Sequence, residues 1–272
     1  MHTLLPAVLA IIAAAMMAWG TVVRQRATDL SSRISLQWIL GALIALVGFA
    51  LQALALGLGS VLLVQPLIVL SVLFALPIER ALNDMMISGR QWIWGILLAL
   101  GVSLFVIFAK PVPAQMGRQG WVLALVVILL GALLITLIVL AERSARSPSA
   151  LLYGVVAGSL FGVAAVLINS LGHNLQFSRI LSRPELYLIV VVGVAGVVAQ
   201  QRAFGAGDVQ ASFPAMTVAE PIIAMAVSLA VFGQKLDRHS AGTLLSLAGL
   251  ALMVVGVLRL SKLSAAHALN VK

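Results

Sequence analysis

The chain has 272 residues, 62% of them hydrophobic and 9% charged, with a mean hydropathy of +1.15. Soluble domains carry roughly a quarter of their residues as charges, so most of this surface is not built to face water. The net charge of +9 comes from 17 Lys and Arg against eight Asp and Glu. The basic residues lie in ones to threes between apolar runs and form no stripe, which argues against a nucleic-acid-binding face and fits loop charges beside anionic lipid head groups.

A membrane span takes about 20 mostly apolar residues, because a helix rises about 1.5 Å per residue through a hydrocarbon layer of about 30 Å. The first candidate, 3–23, has no basic stretch before its apolar run and reads as a retained helix, not a cleaved signal peptide. Two more, 36–56 and 60–79, form one almost unbroken apolar run that Gly57-Leu58-Gly59-Ser60 divides into a tight hairpin. Spans follow at 91–110, 120–141, 149–170 and 186–204. A second small-residue hairpin at Gly205-Ala206-Gly207-Asp208 leads into 210–232, and 239–260 closes the series. Nine spans place the two termini on opposite sides. With the N-terminus outside, the inner side collects eleven of the 17 basic residues, among them Arg24, Arg26, Arg80 and Arg143. That bias favours an N-out, C-in arrangement in the cell (inner) membrane.

The sequence repeats itself at an offset of 148. Gln52, Gly57, Gly59 and Pro66 recur as Gln200, Gly205, Gly207 and Pro214, and Trp19-Gly20 is echoed by Phe161-Gly162 at a slightly different offset. The chain divides accordingly into a first repeat (1–110, spans one to four), a linking span and loop (111–148), a second repeat (149–260, spans six to nine) and a cytoplasmic C-terminal tail (261–272). The odd fifth span turns the second copy upside down. Inverted repeats of this kind give carriers two exchangeable halves around a midplane site.

Polar residues inside the spans are the candidates for that site. Glu220, in PAMTVAEPIIAMAVSLAVFG, is a carboxylate among apolar residues, costly unless paired, hydrated or protonated. It reads either as the substrate or coupling-ion group or as a structural knot with Pro221. Pro221, Pro66 and Pro214 each remove a backbone donor and can kink a span. Gln65, Gln52, Gln200 and Asn169 can bind a ligand or tie helices together. Trp19 lines a cavity or anchors at the interface. Asp208 and Arg202 form a gate or are solvated loop charges. Gly154, Gly158 and Gly162, four apart, predict close packing of the sixth span against a neighbour.

Other chemistry lacks its apparatus. There is no phosphate-binding Gly-rich loop ending in Gly-Lys-Ser/Thr, no His-Glu-x-x-His and no aspartate-rich cluster, and there is no cysteine. No enzymatic activity, cofactor or metal centre is expected.

Several elements in order resemble the drug/metabolite transporter superfamily, whose domains are called EamA-like. They are Trp19-Gly20, the small-residue hairpin leading to Pro66, Leu76-Pro77-Ile78-Glu79-Arg80-Ala81-Leu82, Ala219-Glu220-Pro221, Val231-Phe232-Gly233-Gln234-Lys235-Leu236 and the Gly-rich last span. The resemblance covers essentially the whole chain. It implies an all-α membrane fold and alternating access driven by solute or ion gradients, possible with one chain and open to a dimer. Family members usually have ten helices. The count of nine and the segment LGLGSVLLVQPLIVLSVLFALPI also resemble the superfamily's branch linked to magnesium transport. The substrate is therefore a small organic metabolite, a divalent cation or a lipid-linked molecule, and a non-transporting scaffold stands as the alternative. A cavity reaching Glu220 would favour a carrier; a tightly packed centre, the scaffold.

Overall fold

The computed structural model describes residues 3–30, 35–83, 88–109, 120–173, 181–206, 209–232 and 240–270. Among them the chain is all α-helical, apart from one short 3₁₀ turn at 181–182. The helices are α1 (Leu4–Leu30), α2 (Leu36–Leu58), α3 (Val61–Ile68), α4 (Ser71–Asn83), α5 (Gly89–Ala109), α6 (Gly120–Arg143), α7 (Arg146–His173), α8 (Pro184–Gly205), α9 (Val209–Phe232) and α10 (Ser240–Asn270).

Eight stretches of the described residues are long and apolar enough to cross a membrane, and α9 carries a shorter apolar stretch, Ala215–Val231. The chain is a multi-pass, all-α protein of the cell membrane. Its outer surface requires that solvent. On α6, Val127, Ile128, Leu129 and Ile135 are each more than 60% exposed, and lipid is the medium in which such a face is stable.

Local chemistry sets several boundaries. Ser35 and Ser60 accept hydrogen bonds from the backbone N–H of Trp38 and Leu63, both at 3.2 Å, starting α2 and α3. Ser88 and Gln91 make a reciprocal capping box at α5: the Ser88 N–H donates to Gln91 Oε1 and the Gln91 N–H to Ser88 Oγ. Pro184 opens α8, where its missing N–H costs nothing.

The third span is two helices. Pro66 lies inside α3, but the break comes later, at Val69 and Leu70, where tighter bonds run from Leu70 N–H to Leu67 O and from Val72 N–H to Val69 O. A kink expected at the proline is therefore realised about one turn beyond it. At the other end of the chain, α10 continues as helix to Asn270, through most of the segment expected to be a tail.

Glycines let three helix pairs approach closely. A Cβ on Gly20 would lie 2.5 Å from both Gly41 O and Ala45 N, so α1 and α2 pack backbone to backbone. The stripe Gly154, Gly158, Gly162 on α7 meets Ser212, Met216 and Glu220 of α9 in constant register, which makes these two helices parallel. In the third pair, α5 and α10 run antiparallel, Leu98 facing Gly256 and Phe105 facing Gly249. A Cβ on Gly101 would lie 2.9 Å from Gly249 O and Met253 N. One on Gly249 would lie 2.8 Å from Gly101 O and Phe105 N. The contacts are reciprocal at the same offset of 148 that separates Gln52 from Gln200.

The core lies between α1, α2, α3, α4, α5, α7, α9 and α10, around Leu56, Leu62, Leu98, Met253 and Leu260. Helices α6 and α8 lie outside it, and only 6% of the apolar window of α6 is buried.

Candidate functional site

Three of the polar residues singled out in the sequence converge. Glu220 sits near the middle of α9, Gln52 two turns before the end of α2, and Gln65 within α3, just past the α2–α3 turn. Gln52 Nε2 donates to Glu220 Oε1 at 3.0 Å, a buried bond between α2 and α9. Gln65 lies against the same carboxyl group without the geometry of a hydrogen bond. Its side chain is fully buried, and neither amide atom has a hydrogen-bond partner.

The fold explains why these groups meet. The hairpin at Gly57–Ser60 returns the chain on itself, so that Gln52 and Gln65 stand at similar depth on neighbouring helices. The glycine stripe of α7 then holds α9 against this pair: a Cβ on Gly162 would lie 2.5 Å from Glu220 O. The predicted close packing of the sixth span is thus the device that sets the position of Glu220.

Gln52 donates to Glu220, whereas Gln65, although it lies against the same carboxyl group, brings two donors and two acceptor lone pairs that make no hydrogen bond of good geometry. A buried amide in that condition costs roughly 1–3 kcal/mol. An arrangement of one carboxyl and two carboxamides suits a small solute or ion with hydrogen-bond donors. Beside it lies a small crevice lined by Val69, Thr217, Val218, Pro221, Ile222, Leu250, Met253, Val254 and Val257, nearly all apolar. Pro221 and the helix break at Val69 therefore border the crevice, while Pro66 is buried beside Gln65. The crevice reaches α9 next to Glu220 but is not an aqueous cavity, so the centre is packed in the way expected above of a scaffold; the unpaired Gln65 is the feature that distinguishes it from simple packing.

The remaining candidates are placed elsewhere. Asn169 Nδ2 donates to Leu56 O at 2.6 Å and to Gly59 O at 2.7 Å, binding α7 to the α2–α3 turn. Gln200 Nε2 approaches Met216 Sδ at 3.5 Å between α8 and α9, so Gln52 and Gln200, matched in the sequence, have different partners. Trp19 is 51% exposed on the outer face of α1 and does not join the cluster. Pro214 lies within the α9 backbone, its side chain outside the described residues. Asp208 also lies outside them. Arg202 donates to the Tyr153 hydroxyl at 3.1 Å and pairs with Glu142 at 3.6 Å, with both charged side chains more than half exposed. This contact among α6, α7 and α8 had no signal in the sequence, because its members are distant in the chain and fit no motif.

An uncharacterized protein of Corynebacterium glutamicum is 31% identical to this chain over 281 aligned residues, covering 96% of each. The chain belongs to that protein's family. The near-complete coverage means that the similarity runs through the whole arrangement of spans. No protein-family model matches the chain, and no solved structure matches it. Among the described residues, no group of three His, Cys, Asp or Glu side chains could hold a metal ion.

Proposed function

We propose that this chain is a secondary carrier that moves a small organic solute across the cell membrane by alternating access, without covalent chemistry. Glu220 and Gln65 contact the solute or coupling ion, and Gln52 orients Glu220. The observation that carries this reading is the fully buried Gln65, unpaired at both amide atoms beside a mid-span carboxyl group. A scaffold would gain stability by replacing such a group with an apolar one, whereas a binding site needs its hydrogen-bonding capacity.

Two inverted halves with N-out, C-in topology fit this reading. A pseudo-twofold axis in the membrane plane brings equivalent residues of antiparallel helices face to face, as Gly101 and Gly249 are. The order of motifs resembling drug/metabolite transporters supports the same arrangement, and the bias of basic residues supports the orientation. An organic solute is favoured over magnesium because the cluster offers one carboxyl group, already accepting from Gln52, and carboxamides that can donate as well as accept, whereas a hydrated hard cation is held by oxygen ligands alone.

The test is solute movement in proteoliposomes containing the purified chain, with a pool of metabolites and Mg²⁺ under an imposed proton gradient, and Glu220→Gln measured in parallel. Gradient-dependent movement of one organic solute, lost in the variant, is the expected result. Movement of Mg²⁺ alone would identify a cation carrier. No movement of any solute by folded protein would leave a lipid-linked substrate or a scaffold.

A further inference from the structure

We propose that Asn169 is the latch of a gate: the bundle is closed at the α2–α3 turn, and access to Glu220 and Gln65 from that end requires release of Asn169. This inference rests on the carrier reading and adds to it the place of closure.

Three observations meet at the turn. The Asn169 amide uses two donors on Leu56 O and Gly59 O, carbonyls at the end of α2 and in the turn, at 2.6 and 2.7 Å. Three residues further along α7, Gly172 meets Gly57 so closely that a side chain on Gly172 would collide with the Gly57 backbone. From the other side Pro6 of α1 closes on Gly59, whose Cβ would lie 2.6 Å from Pro6 Cβ. The turn is thus clamped between helices of both repeats. Gln52 and Gln65 lie immediately beneath it on the two helices that the turn joins.

Of the counterpart turn, Gly205 is within the described residues, and it shows no such seam: a Cβ on Gly205, 148 residues after Gly57, would meet no atom within 4 Å. In inverted halves these two turns stand at opposite faces of the membrane. A carrier clamped at the α2–α3 turn is closed at that face. The clamp is built from two hydrogen bonds and a glycine seam. It can be released without unpacking a large apolar surface.

Thiol accessibility tests this directly, because the native chain has no cysteine. A Ser60→Cys variant, labelled in membrane vesicles with an impermeant maleimide, identifies the side on which the turn lies. Gln65→Cys, labelled from that side, is expected to react far more slowly. Adding Asn169→Asp, which replaces the donor with an acceptor facing two carbonyls, is expected to raise that rate about tenfold or more, the shift in opening expected when buried hydrogen bonds are lost. Gly172→Ala, which forces the seam apart without altering a polar group, is expected to raise it too, and Gly193→Ala, which faces open space, is expected to leave it unchanged. The latch is overturned if native-background Gln65→Cys labels as fast as Ser60→Cys, or if neither added substitution raises its rate in protein of native elution profile. Gly172→Ala decides the matter if Asn169→Asp does not fold. Labelling needs no solute, so failure of the native chain to move any solute bears on the carrier reading alone.

Discussion

Gln52 and Glu220 stand 168 residues apart in the chain and 3.0 Å apart in the fold, joined by a buried hydrogen bond between α2 and α9. The bond gives the buried carboxyl group a partner and fixes which way the group faces.

Removing the donor should therefore cost more than altering the acceptor. Gln52→Ala leaves Glu220 buried beside an empty position and is expected to destabilise the protein by about 1–3 kcal/mol. Glu220→Gln keeps a carbonyl oxygen for Gln52 to donate to and is expected to cost less than half as much while abolishing gradient-driven solute movement. Thermal unfolding in detergent, combined with the proteoliposome assay, separates the two effects.

Gln65→Leu should move stability and activity in opposite directions. The native amide is fully buried with no hydrogen-bond partner, so an apolar replacement of similar volume is expected to be neutral or to stabilise by about 1 kcal/mol. Solute movement should fall at least tenfold. A variant both more stable and fully active would make Gln65 a packing residue.

The glycine stripe of α7 offers a third test. A methyl group on Gly162 would press on Glu220 O and Ala224 N of α9, neither of which is a flexible side chain end. Gly162→Ala is expected to destabilise by about 1–3 kcal/mol through overpacking and to lower transport by displacing Glu220. Gly131→Ala on α6 faces open space; it should leave transport unchanged and slightly raise stability through helix propensity. Melting curves and initial rates of the two variants side by side check this.

Gly101 and Gly249 should behave as equivalents. Each faces the other's backbone at nearly the same spacing, so Gly101→Ala and Gly249→Ala are expected to cost similar amounts, about 1–3 kcal/mol each. The double variant should cost less than their sum, because one separation of α5 from α10 accommodates both methyl groups. Additive costs in thermal unfolding would mean that the two positions are independent.

The ion pair of Arg202 with Glu142 is expected to contribute little. Both side chains are more than half exposed, and exposed pairs are worth about 0–1 kcal/mol. Glu142→Gln should shift stability within that range and leave solute movement unchanged.

Composition alone determined that this is a membrane protein. With 9% charged residues and apolar runs of about 20, no other solvent satisfies its surface, and run length fixed the spans to within a few residues. Four-residue glycine spacing announced close packing, and the cost of a mid-span carboxylate singled out Glu220 before any contact was known. The partners of these features were not legible. Gln52, Gln65, Gln200 and Asn169 are all neutral polar residues in apolar sequence, and nothing local distinguishes the one that binds Glu220 from the one that clamps a turn. That distinction depends on which helices become neighbours, through contacts between residues more than a hundred positions apart. The break at Val69 also followed no local rule, since Pro66 lies inside the helix that precedes it. Periodicity and solvent preference are written residue by residue, so the sequence carried the spans; pairing depends on the whole bundle's packing, so only the tertiary structure decided the site.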